Sequence, residues 1–319
     1  MENKLAPIVL FVYNRPWHTL QTLNSLKNNE LSNESELFIY ADGPNDNASV
    51  VDLEKIKETR EIIKKNNWCG NVHIIESTYN KGLANSIING VTEVINKYGR
   101  IIVLEDDLVT SPGFLRYMND ALTIYENEDR VMHISGYTCP LKCKLPDTFF
   151  YNSTSCWGWA TWKRSWKYFN NDAKYLYEKI IMNNNRNFDY KGLFGFTKHL
   201  EDNISGKIKT WAIKWHSSVF LKNGYCLHPY PSLVNNIGHD LSGQNCVSTD
   251  VFSWNKLADK INVNEIKIEE SEIAIKNMIK FYSKFQPSKY DMIVFRIKVF
   301  IKKFILNILI LFSKNVYFI

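Results

Sequence analysis

The 319-residue sequence lacks the features that mark several specialised classes of protein. It has no Gly-X-Y period and no repeat of about 20–50 residues, which excludes collagen-like and solenoid folds. No G-x-G-x-x-G follows the first apolar segment, which disfavours a dinucleotide-dependent dehydrogenase. The composition, 45% hydrophobic and 23% charged, excludes a disordered chain and is sufficient for a large buried core.

The six cysteines form no C-x-x-C pair, and Cys139 and Cys143 have no second cysteine or histidine pair at ligand spacing. The sequence therefore gives little support for a zinc site. The first residues contain no basic segment followed by a cleavable apolar run, the pattern of a secretory signal. These absences favour free thiols and a cytoplasmic location.

The net charge of +6 is concentrated at the end of the sequence. Residues 289–319 contain six basic residues and one acid, a net charge of +5. The rest of the chain therefore has a net charge of only +1. A nucleic-acid-binding core would be basic over its whole body, and we expect no nucleic-acid partner.

In the same segment, apolar residues at helical spacing form one face: Ile293, Ile297, Phe300, Ile301, Phe304, Ile308 and Leu311. Basic residues lie on the other side, and the apolar run after Lys303 is shorter than the ~20 residues of a spanning helix. We predict an amphipathic helix on an anionic membrane surface, with docking on the domain or a partner as the alternative.

Short apolar segments alternate with helical patterns in the first half of the chain. Strands are predicted at residues 7–13, 37–41, 72–76 and 101–104, and helices at 17–28, 51–66 and 83–98. Ser111 and Pro112 predict the start of the next helix. This alternation predicts an α/β fold with a mostly parallel central sheet and helices on both faces. Ligands of such sheets lie beyond the carboxyl ends of the strands.

Three consecutive acids, Glu105, Asp106 and Asp107, follow the apolar segment 101–104. A buried strand would deliver these carboxylates to the edge of the sheet, where their repulsion is costly unless a cation is present. Oxygen ligands of this kind suit Mg²⁺ or Mn²⁺. We therefore predict a divalent cation site, the alternative being a solvated acidic turn.

The order of the motifs resembles GT-A glycosyltransferases. Asp42 ends an early strand, Asn80-Lys81-Gly82 precedes a helix, and the acidic triplet is followed by Ser111 and Pro112. The segments around these acids, at 134–137 and at 155–162, are similar to the N-acetylglucosaminyltransferase I family and its bacterial relatives. The likeness covers about residues 5–245. It implies a GT-A-type nucleotide-sugar-binding fold and an inverting transfer from a nucleotide-sugar.

The resemblance also implies roles for the acidic triplet. Asp107, at the last position of the family's acidic motif, would bind the metal directly. Glu105 and Asp106 would contact the ribose of the nucleotide and the sugar.

Four further residues have roles implied by the resemblance. Asn14 and Arg15, after the first strand, would approach the nucleotide. Asp42 would accept a hydrogen bond from the uracil ring, and Lys81 would approach the diphosphate or the base. Taken singly, each of these residues is also compatible with a surface or turn position.

An inverting transfer needs a base that deprotonates the acceptor hydroxyl. The second half offers Glu201, Asp202 and Asp240. Asp202 is the first choice because an acid in this region is the base in many similar enzymes, and Glu201 follows closely. Bacterial relatives often carry an acid just before the tryptophan equivalent to Trp211, where this chain has Lys209 and Thr210. The alternative for Glu201 and Asp202 is a solvated helix surface.

Aromatic residues in the second half suggest a sugar-binding wall. Trp157 and Trp159 flank a glycine that permits close approach of the backbone, and both are candidates for sugar stacking, with core packing as the alternative. His239 lies between Gly238 and Asp240 and is a candidate metal or diphosphate ligand, with a structural histidine as the alternative.

The sequence thus predicts a catalytic domain over residues 1–285, with a nucleotide-binding half (1–130) and an acceptor-binding half (131–285), and a membrane-associating tail (286–319). We predict a cytoplasmic, membrane-peripheral, metal-dependent transferase that moves a sugar from a UDP-sugar, UDP-GlcNAc being the first candidate. The acceptor would be lipid-linked or a surface polysaccharide, of bacterial origin by composition. Alternatives are a sugar nucleotidyltransferase, which the absence of a Gly-rich basic loop after the first strand disfavours, and a catalytically silent sugar- or membrane-binding protein.

Overall fold

The computed structural model describes residues 4–182, 187–190, 193–240 and 249–285. The chain divides into two compact units, Met1–Met278 and Ile279–Ile319. The amphipathic helix predicted within residues 286–319 lies outside the described residues. No helix within the described ranges combines the length and the apolar character needed to cross a membrane.

The first half of unit Met1–Met278 alternates strands with helices, as the sequence predicts. Its strands are β1 (Ile8–Val12), β2 (Glu36–Ala41), β3 (Asn71–Glu76) and β4 (Arg100–Glu105). Its helices are α1 (Pro16–Lys27), α2 (Val50–Lys64) and α3 (Leu83–Tyr98). The ends of these elements lie within two residues of the predicted ends.

The remaining part of the chain has shorter elements in a less regular order. The strands are β5 (Leu108–Thr110), β6 (Val131–Ser135), β7 (Thr148–Tyr151), β8 (Trp159–Trp162), β9 (Tyr225–Pro229) and β10 (Val234–Asn236). The helices are α4 (Phe114–Ile124), α5 (Lys163–Trp166), α6 (Ala173–Met182), α7 (Phe196–Ile204), α8 (Ala212–Leu221) and α9 (Glu272–Tyr282).

An eight-stranded sheet runs through the described part of the chain in the order β3-β2-β1-β4-β8-β6-β9-β7. The strands from β3 to β4 are parallel. Strand β8 is antiparallel to both of its neighbours, β9 is parallel to β6, and β7 is antiparallel to β9. Strands β5 and β10 form a separate antiparallel pair. The α/β architecture is therefore confirmed, with a parallel first half and a mixed second half.

The predicted helix start at Ser111 and Pro112 is wrong. Helix α4 begins at Phe114, and Gly113 is its N-cap. The preceding residues continue from β5 and bond to distant segments: the Ser111 N–H donates to the Leu233 carbonyl at 2.8 Å, and the Gly113 N–H donates to the Asp259 carbonyl at 3.0 Å. The Phe114 N–H donates to the Ser111 carbonyl at 3.1 Å, so a turn fixed by these long-range bonds precedes the helix, which local capping signals cannot reveal.

Alternate residues of β1 enter two different apolar layers. Ile8, Leu10 and Val12 pack in a layer that includes α1 and α4, whereas Val9 and Phe11 pack in a layer that includes α3 and α8. A strand that is buried on both faces appears in the sequence as a continuous apolar run, which explains why it was predictable. The packing on both faces fixes the positions of the residues that follow the strand.

Candidate active site

The parallel strands end at one edge of the sheet and deliver polar side chains there. Val12 of β1 lies beside Ala41 of β2, and Phe11 lies beside Glu105 of β4. The residues that follow these positions, Arg15, Asp42 and Asp106–Asp107, therefore emerge at the same edge of the sheet. The sequence placed its candidate site at this edge for the same reason.

Arg15 pairs with the last two acids of the triplet. Its Nη1 lies 2.7 Å from Asp107 Oδ2 and 3.4 Å from Asp106 Oδ1. All three side chains are about 12% exposed, so solvent screens the charges only weakly. Although burial lowers the pKa of the Arg15 guanidinium, the two carboxylates outweigh that effect and raise it.

The acids outnumber the positive charge that faces them. Burial and then the Asp107 charge raise the pKa of Asp106 to about 7, despite Arg15. Burial, followed by the charges of Asp107 and Asp106, raises the pKa of Glu105 well above its usual value. A divalent cation placed here would stabilise the ionised carboxylates.

The segment after β10 packs directly on Asp107. Asp106 and Asp107 are called the acidic pair below. The Ile237 N–H donates to the Asp107 carbonyl at 2.9 Å, which continues the pairing between β10 and β5. A β-carbon at Gly238 would overlap Asp107 Oδ2 and would lie 2.8 Å from Arg15 Nη2. Only glycine allows the backbone to lie this close to the acidic pair. His239 follows Gly238 in the chain.

Asp240 and His18 complete the cluster. Asp240 Oδ2 lies 3.0 Å from His18 Nε2, and Asp240 Oδ1 lies 3.8 Å from Arg15 Nη2. Burial and the Arg15 charge lower the pKa of His18, against the opposing effect of Asp240. Sequence reasoning missed His18 and Gly238. The spacing of three residues between Arg15 and His18 at the start of α1 is the signal that could have found the histidine.

Asp42 shapes the loop before α3. Its carboxylate accepts backbone N–H groups from Gly43 at 2.9 Å, Lys81 at 2.9 Å and Gly82 at 3.0 Å. The Lys81 N–H also lies 3.2 Å from the second carboxylate oxygen, so these contacts engage both oxygens of Asp42. The Lys81 ammonium lies 5.9 Å from the centre of the Tyr79 ring. Asp42 and Lys81 are thus neighbours, joined through the backbone of Lys81.

Asn14 is tied to the first turn of α2. Its Nδ2 donates to Asp52 Oδ1 at 3.1 Å, and Asp52 in turn accepts from the Ser49 hydroxyl at 2.7 Å. The loop after β1 and the start of α2 are thereby fixed to each other. Asn14 stands next to Arg15 in the chain and lies on the α2 side of it.

The structure separates the two candidate tryptophans. Trp157 is half-buried, and its ring centre lies 4.4 Å from that of Tyr137, 5.2 Å from that of His239 and 6.2 Å from that of Phe252. These four residues are called the aromatic wall below. Because His239 follows Gly238, the wall stands beside the acidic pair.

Trp159 is fully buried, in contrast with the prediction that it faces a sugar. It lies on β8 between β4 and β6, and its ring stacks on Trp211 with 5.1 Å between centres. Gly158, with φ of +65°, turns the chain between the two tryptophans. Trp159 therefore belongs to the core and has no ring face open to a ligand.

The two acids predicted as bases lie on α7. Asp202 is 2.8 Å from the Lys198 ammonium and 3.7 Å from that of Lys207. The hydrogen bond from Lys198 is the main cause of a lowered pKa of Asp202. Glu201 accepts from the Tyr177 hydroxyl at 3.4 Å and lies 3.7 Å from Lys198. These contacts do not connect α7 to the acidic triplet, whereas Asp240 is connected to it through Arg15.

The donor set at the acidic pair fits a divalent cation in part. Carboxylates of Asp106 and Asp107 and the imidazole of His239 are ligand types that Mn²⁺ accepts. Within the described residues, no group of three or more His, Cys, Asp or Glu side chains is arranged to hold a metal. A cation here would therefore take its remaining ligands from substrate oxygens and water, as Mg²⁺ commonly does.

Comparison with known structures gives low overall similarity. TarS of S. aureus shares 13% identity over 44% of this chain and 23% of its own, with a TM-score of 0.30. The structure of TarS 1–349 shares 13% identity over 49% of this chain and 47% of its own, with a TM-score of 0.35. This chain thus spans less than half of either TarS structure.

A third structure is a mannosyltransferase. PcManGT from Pyrobaculum calidifontis, in complex with GDP-Man and Mn²⁺, shares 9% identity over 68% of this chain and 69% of its own, with a TM-score of 0.36. At TM-scores this low, none of the three structures informs the substrate. No curated protein matches the chain.

Comparison with protein families gives a direct result. Residues 8–138 match the family described as Glycosyl transferase family 2. The matched region begins at β1, includes the four parallel strands, Asp42 and Lys81, and ends after the acidic triplet. The match agrees with the strand topology in supporting a GT-A-type α/β fold, and residues 8–138 are similar to this glycosyltransferase family.

Proposed function

We propose that the enzyme transfers a sugar from a UDP-sugar, with inversion at the anomeric carbon and with a divalent cation. The observation that supports this most directly is the Arg15–Asp106–Asp107 cluster at the carboxyl edge of the parallel strands. A nucleotide-sugar carries two phosphates, and this edge is where open α/β sheets bind such ligands. The acids outnumber the cationic group beside them. A divalent cation would balance their charge and would also bind the phosphates.

The proposed chemistry places charge where these residues lie. As the glycosidic bond breaks, negative charge develops on the departing diphosphate, and catalysis requires groups that stabilise it more in the transition state than in the ground state. Mg²⁺ or Mn²⁺, held by Asp107 with His239 as a further ligand, would supply positive charge at the departing diphosphate. Arg15 orients the Asp107 carboxylate through the 2.7 Å contact.

The nucleotide-binding half, residues 1–130, is proposed to recognise the nucleotide through the loops after β1, β2 and β3. Asp42 is proposed to accept a hydrogen bond from uracil. Asn14 and Lys81 would flank the base and the diphosphate, and Glu105 and Asp106 would contact ribose and sugar. The resemblance to the N-acetylglucosaminyltransferase I family makes UDP-GlcNAc the first donor to test.

The acceptor hydroxyl must lose a proton on the face opposite the leaving group. We propose Asp202 as the base, with Glu201 as the alternative on the same helix. The lysines around Asp202 lower its pKa, which keeps it ionised but makes it a weaker base. Asp240, which contacts Arg15, is the residue to compare with it.

The acceptor class is proposed from the sequence of the tail. Residues 286–319 combine an apolar helical face with six basic residues, a composition that suits a membrane surface with anionic lipid. A lipid-linked or surface-polysaccharide acceptor would be found at such a surface. Deleting residues 289–319 should release the protein from vesicles that contain phosphatidylglycerol, and sedimentation of the shortened chain with these vesicles would contradict the proposal.

The central experiment measures nucleotide release. The full chain is incubated with UDP-GlcNAc, other UDP-sugars and GDP-mannose in the presence of MnCl₂. We expect UDP release from one UDP-sugar, loss of release with EDTA and recovery with added Mn²⁺. With an acceptor in hand, the anomeric proton coupling of the product reports the stereochemistry.

The same assay separates the alternatives. Pyrophosphate formed from UTP and a sugar 1-phosphate would support a nucleotidyltransferase. Binding of UDP-sugars without release of UDP would support a catalytically silent protein. Release that EDTA leaves unchanged would contradict the proposed metal dependence while leaving the transferase assignment intact.

A further inference from the structure

Four consecutive residues before the aromatic wall are bonded through their backbone to four side chains from other parts of the fold. This segment, residues 152–155, contains no helix or strand. Its contacts are Asn152 N to Glu270 Oε1 at 3.1 Å, Ser153 O to His228 Nε2 at 2.9 Å, Thr154 N to His216 Nδ1 at 3.4 Å, and Ser155 O to His133 Nε2 at 3.1 Å. We call residues 152–155 the held segment.

The three histidines come from three different elements and are all buried. His133 lies on β6, His216 on α8 and His228 on β9, with relative exposures of 0%, 3% and 4%. Burial lowers the pKa of each of them. The rings are therefore neutral near pH 7, and each carries a single N–H.

The partner of His133 fixes the position of its proton. The Trp215 indole N–H donates to His133 Nδ1 at 3.1 Å, so the ring proton is on Nε2 and is donated to the Ser155 carbonyl. Phenylalanine or leucine would fill the same volume but would leave that carbonyl without this donor. The hydrogen-bonding groups of His133 are thus used to fix the backbone of the held segment.

His228 connects the held segment to a second part of the site. Its Nε2 faces the Ser153 carbonyl at 2.9 Å, and its Nδ1 faces the Tyr137 carbonyl at 3.1 Å. Both carbonyls are acceptors, so the neutral ring donates its single N–H to one of them, and the shorter distance favours Ser153. Tyr137 is a member of the aromatic wall, and its hydroxyl donates to the Phe252 carbonyl at 2.8 Å. One buried ring therefore lies between the two backbone segments that carry Tyr137 and Trp157.

The held segment leads directly to Trp157. The Trp157 N–H donates to the Ser155 hydroxyl at 3.3 Å, which joins the end of the segment to the tryptophan backbone. Trp157 then packs on Tyr137 and His239, beside the glycine that contacts Asp107.

We propose that His133 and His228 are positioning residues, which hold residues 152–155 so that Trp157 presents a preformed wall to the donor sugar. This inference rests on the proposed function, because it places the sugar of a nucleotide-sugar beside the acidic pair. A preformed wall orients the sugar without an ordering cost on binding. The histidines act through the held segment and do not touch the substrate.

Two substitutions of His228 separate its two contacts. A glutamine amide can reach the position of Nε2, so His228→Gln retains a donor to Ser153 and loses the contact to Tyr137. An asparagine amide can reach the position of Nδ1, so His228→Asn retains the contact to Tyr137 and loses the one to the held segment. Thr161→Val is the matched control, because it removes a buried hydrogen bond from Thr161 Oγ1 to the Met132 carbonyl without touching the segment.

Three measurements are made on the full-length variants. Hydrogen–deuterium exchange reports the amides of residues 152–158, the ¹⁵N indole resonance identified by Trp157→Phe reports the wall, and kinetics with UDP-GlcNAc report function. For His228→Asn we expect about tenfold faster exchange in this segment and a shifted or broadened Trp157 resonance. We also expect a KM for UDP-GlcNAc raised about fivefold, while the Kd for UDP with MnCl₂ changes less than about twofold.

The controls decide between positioning and general loss of stability. His228→Gln should restore most of the exchange protection and of the KM, and Thr161→Val should leave the segment, the resonance and the KM as in the wild type. If His228→Asn does not fold, Ser155→Ala removes the contact to Trp157 from a partly exposed position and should shift the same resonance. An unchanged Trp157 resonance in these variants would overturn the inference, as would a KM for UDP-GlcNAc that rises equally in Thr161→Val.

Failure of the proposed function gives a different result. If the wild type releases no UDP from any UDP-sugar, the proposed function fails. The exchange and indole measurements still decide whether the histidines position Trp157.

Discussion

The two halves of unit Met1–Met278 fix their functional residues by different means. In residues 4–130, parallel strands bond to each other through the backbone, and Arg15, Asp42 and Asp106 follow the strand ends. In residues 131–278, the held segment is bonded to side chains of four separate elements or loops. A backbone ladder is insensitive to most substitutions, whereas a contact made by one side chain is lost with that residue.

The two halves share the central sheet through β4 and β8, and a second, short pair of strands joins them beside the candidate site. Strand β5 follows the acidic triplet, and β10 precedes Gly238 and His239. Their antiparallel pairing carries the residues of the second half onto Asp107. The comparison teaches that the first half supplies Arg15 and the acidic triplet, whereas the second half supplies Asp240, Gly238 and the aromatic wall. The substitutions below separate these contributions.

The largest effect is expected for the charge contributed by the first half. Asp107→Asn removes the carboxylate proposed to hold the cation, and we expect turnover to fall about 10³-fold, or about 4 kcal/mol in transition-state stabilisation. UDP release in the presence of MnCl₂ measures it. Asp129→Asn, at an exposed turn, is the matched control and should keep full activity. Wild-type turnover in Asp107→Asn would refute the proposed metal ligand.

The sequence predicted most of the first half because its signals are local. Strands β1 and β4 are apolar runs buried on both faces, β2 alternates buried and half-buried residues, and α3 repeats apolar residues at three-to-four spacing. Once the strands are placed as parallel neighbours, geometry brings Arg15 to the acidic triplet. The N-cap of α4 was the exception, because the Ser111 and Gly113 N–H groups bond to Leu233 and Asp259, which are distant in the sequence.

The second half was less predictable because its contacts have no period. Nothing in the spacing of His133, His216 and His228 shows that all three bond to consecutive residues. Trp157 and Trp159 are equivalent in the sequence, yet one lines the wall and the other lies in the core. Gly238 is a further case, since the need for glycine arises only from its approach to Asp107.

The next largest effect tests the base. Asp202→Asn is expected to lower kcat about 10²- to 10³-fold with little change in KM, since the base acts on the acceptor in the transition state. The kinetics are compared with those of Glu201→Gln and Asp240→Asn. A larger loss of kcat in Asp240→Asn, with kcat of Asp202→Asn near wild type, would assign the role of base to Asp240, which contacts Arg15.

The pH profile gives a second test of the same residue. Lys198 lowers the pKa of Asp202, so the ionised base persists to lower pH than an ordinary aspartate would allow. Activity that depends on this group is present above that lowered pKa and is lost as the pH falls through it. Lys198→Ala removes the main cause of the shift and should move the acidic limb of kcat/KM to higher pH. An acidic limb that does not move would show that another group sets it.

A smaller effect is expected where the two halves touch. Gly238→Ala places a β-carbon against Asp107 and Arg15, and we expect kcat/KM to fall about tenfold to 100-fold with a loss of about 1–3 kcal/mol in the free energy of unfolding. Gly206→Ala is the comparison, because Gly206 has a φ of +74° and no neighbour within 4 Å of its β-position. It should cost about 1 kcal/mol of stability with unchanged kinetics. Equal kinetic effects in Gly238→Ala and Gly206→Ala would contradict a functional role for the close contact between Gly238 and Asp107.

The smallest effects divide site from core within the second half. Trp157→Phe keeps an aromatic ring at the partly exposed wall, so we expect KM for the donor to rise about threefold with little change in stability. Trp159→Phe shrinks a fully buried side chain that stacks on Trp211, so we expect a loss of about 1–3 kcal/mol in the free energy of unfolding with an almost unchanged KM. Urea denaturation and donor kinetics on both variants measure the contrast. The two tryptophans are separated only by Gly158. A matching response of Trp157→Phe and Trp159→Phe in both measurements would mean that the wall and the core form one packed unit. The held segment would then not keep Trp157 apart from the core.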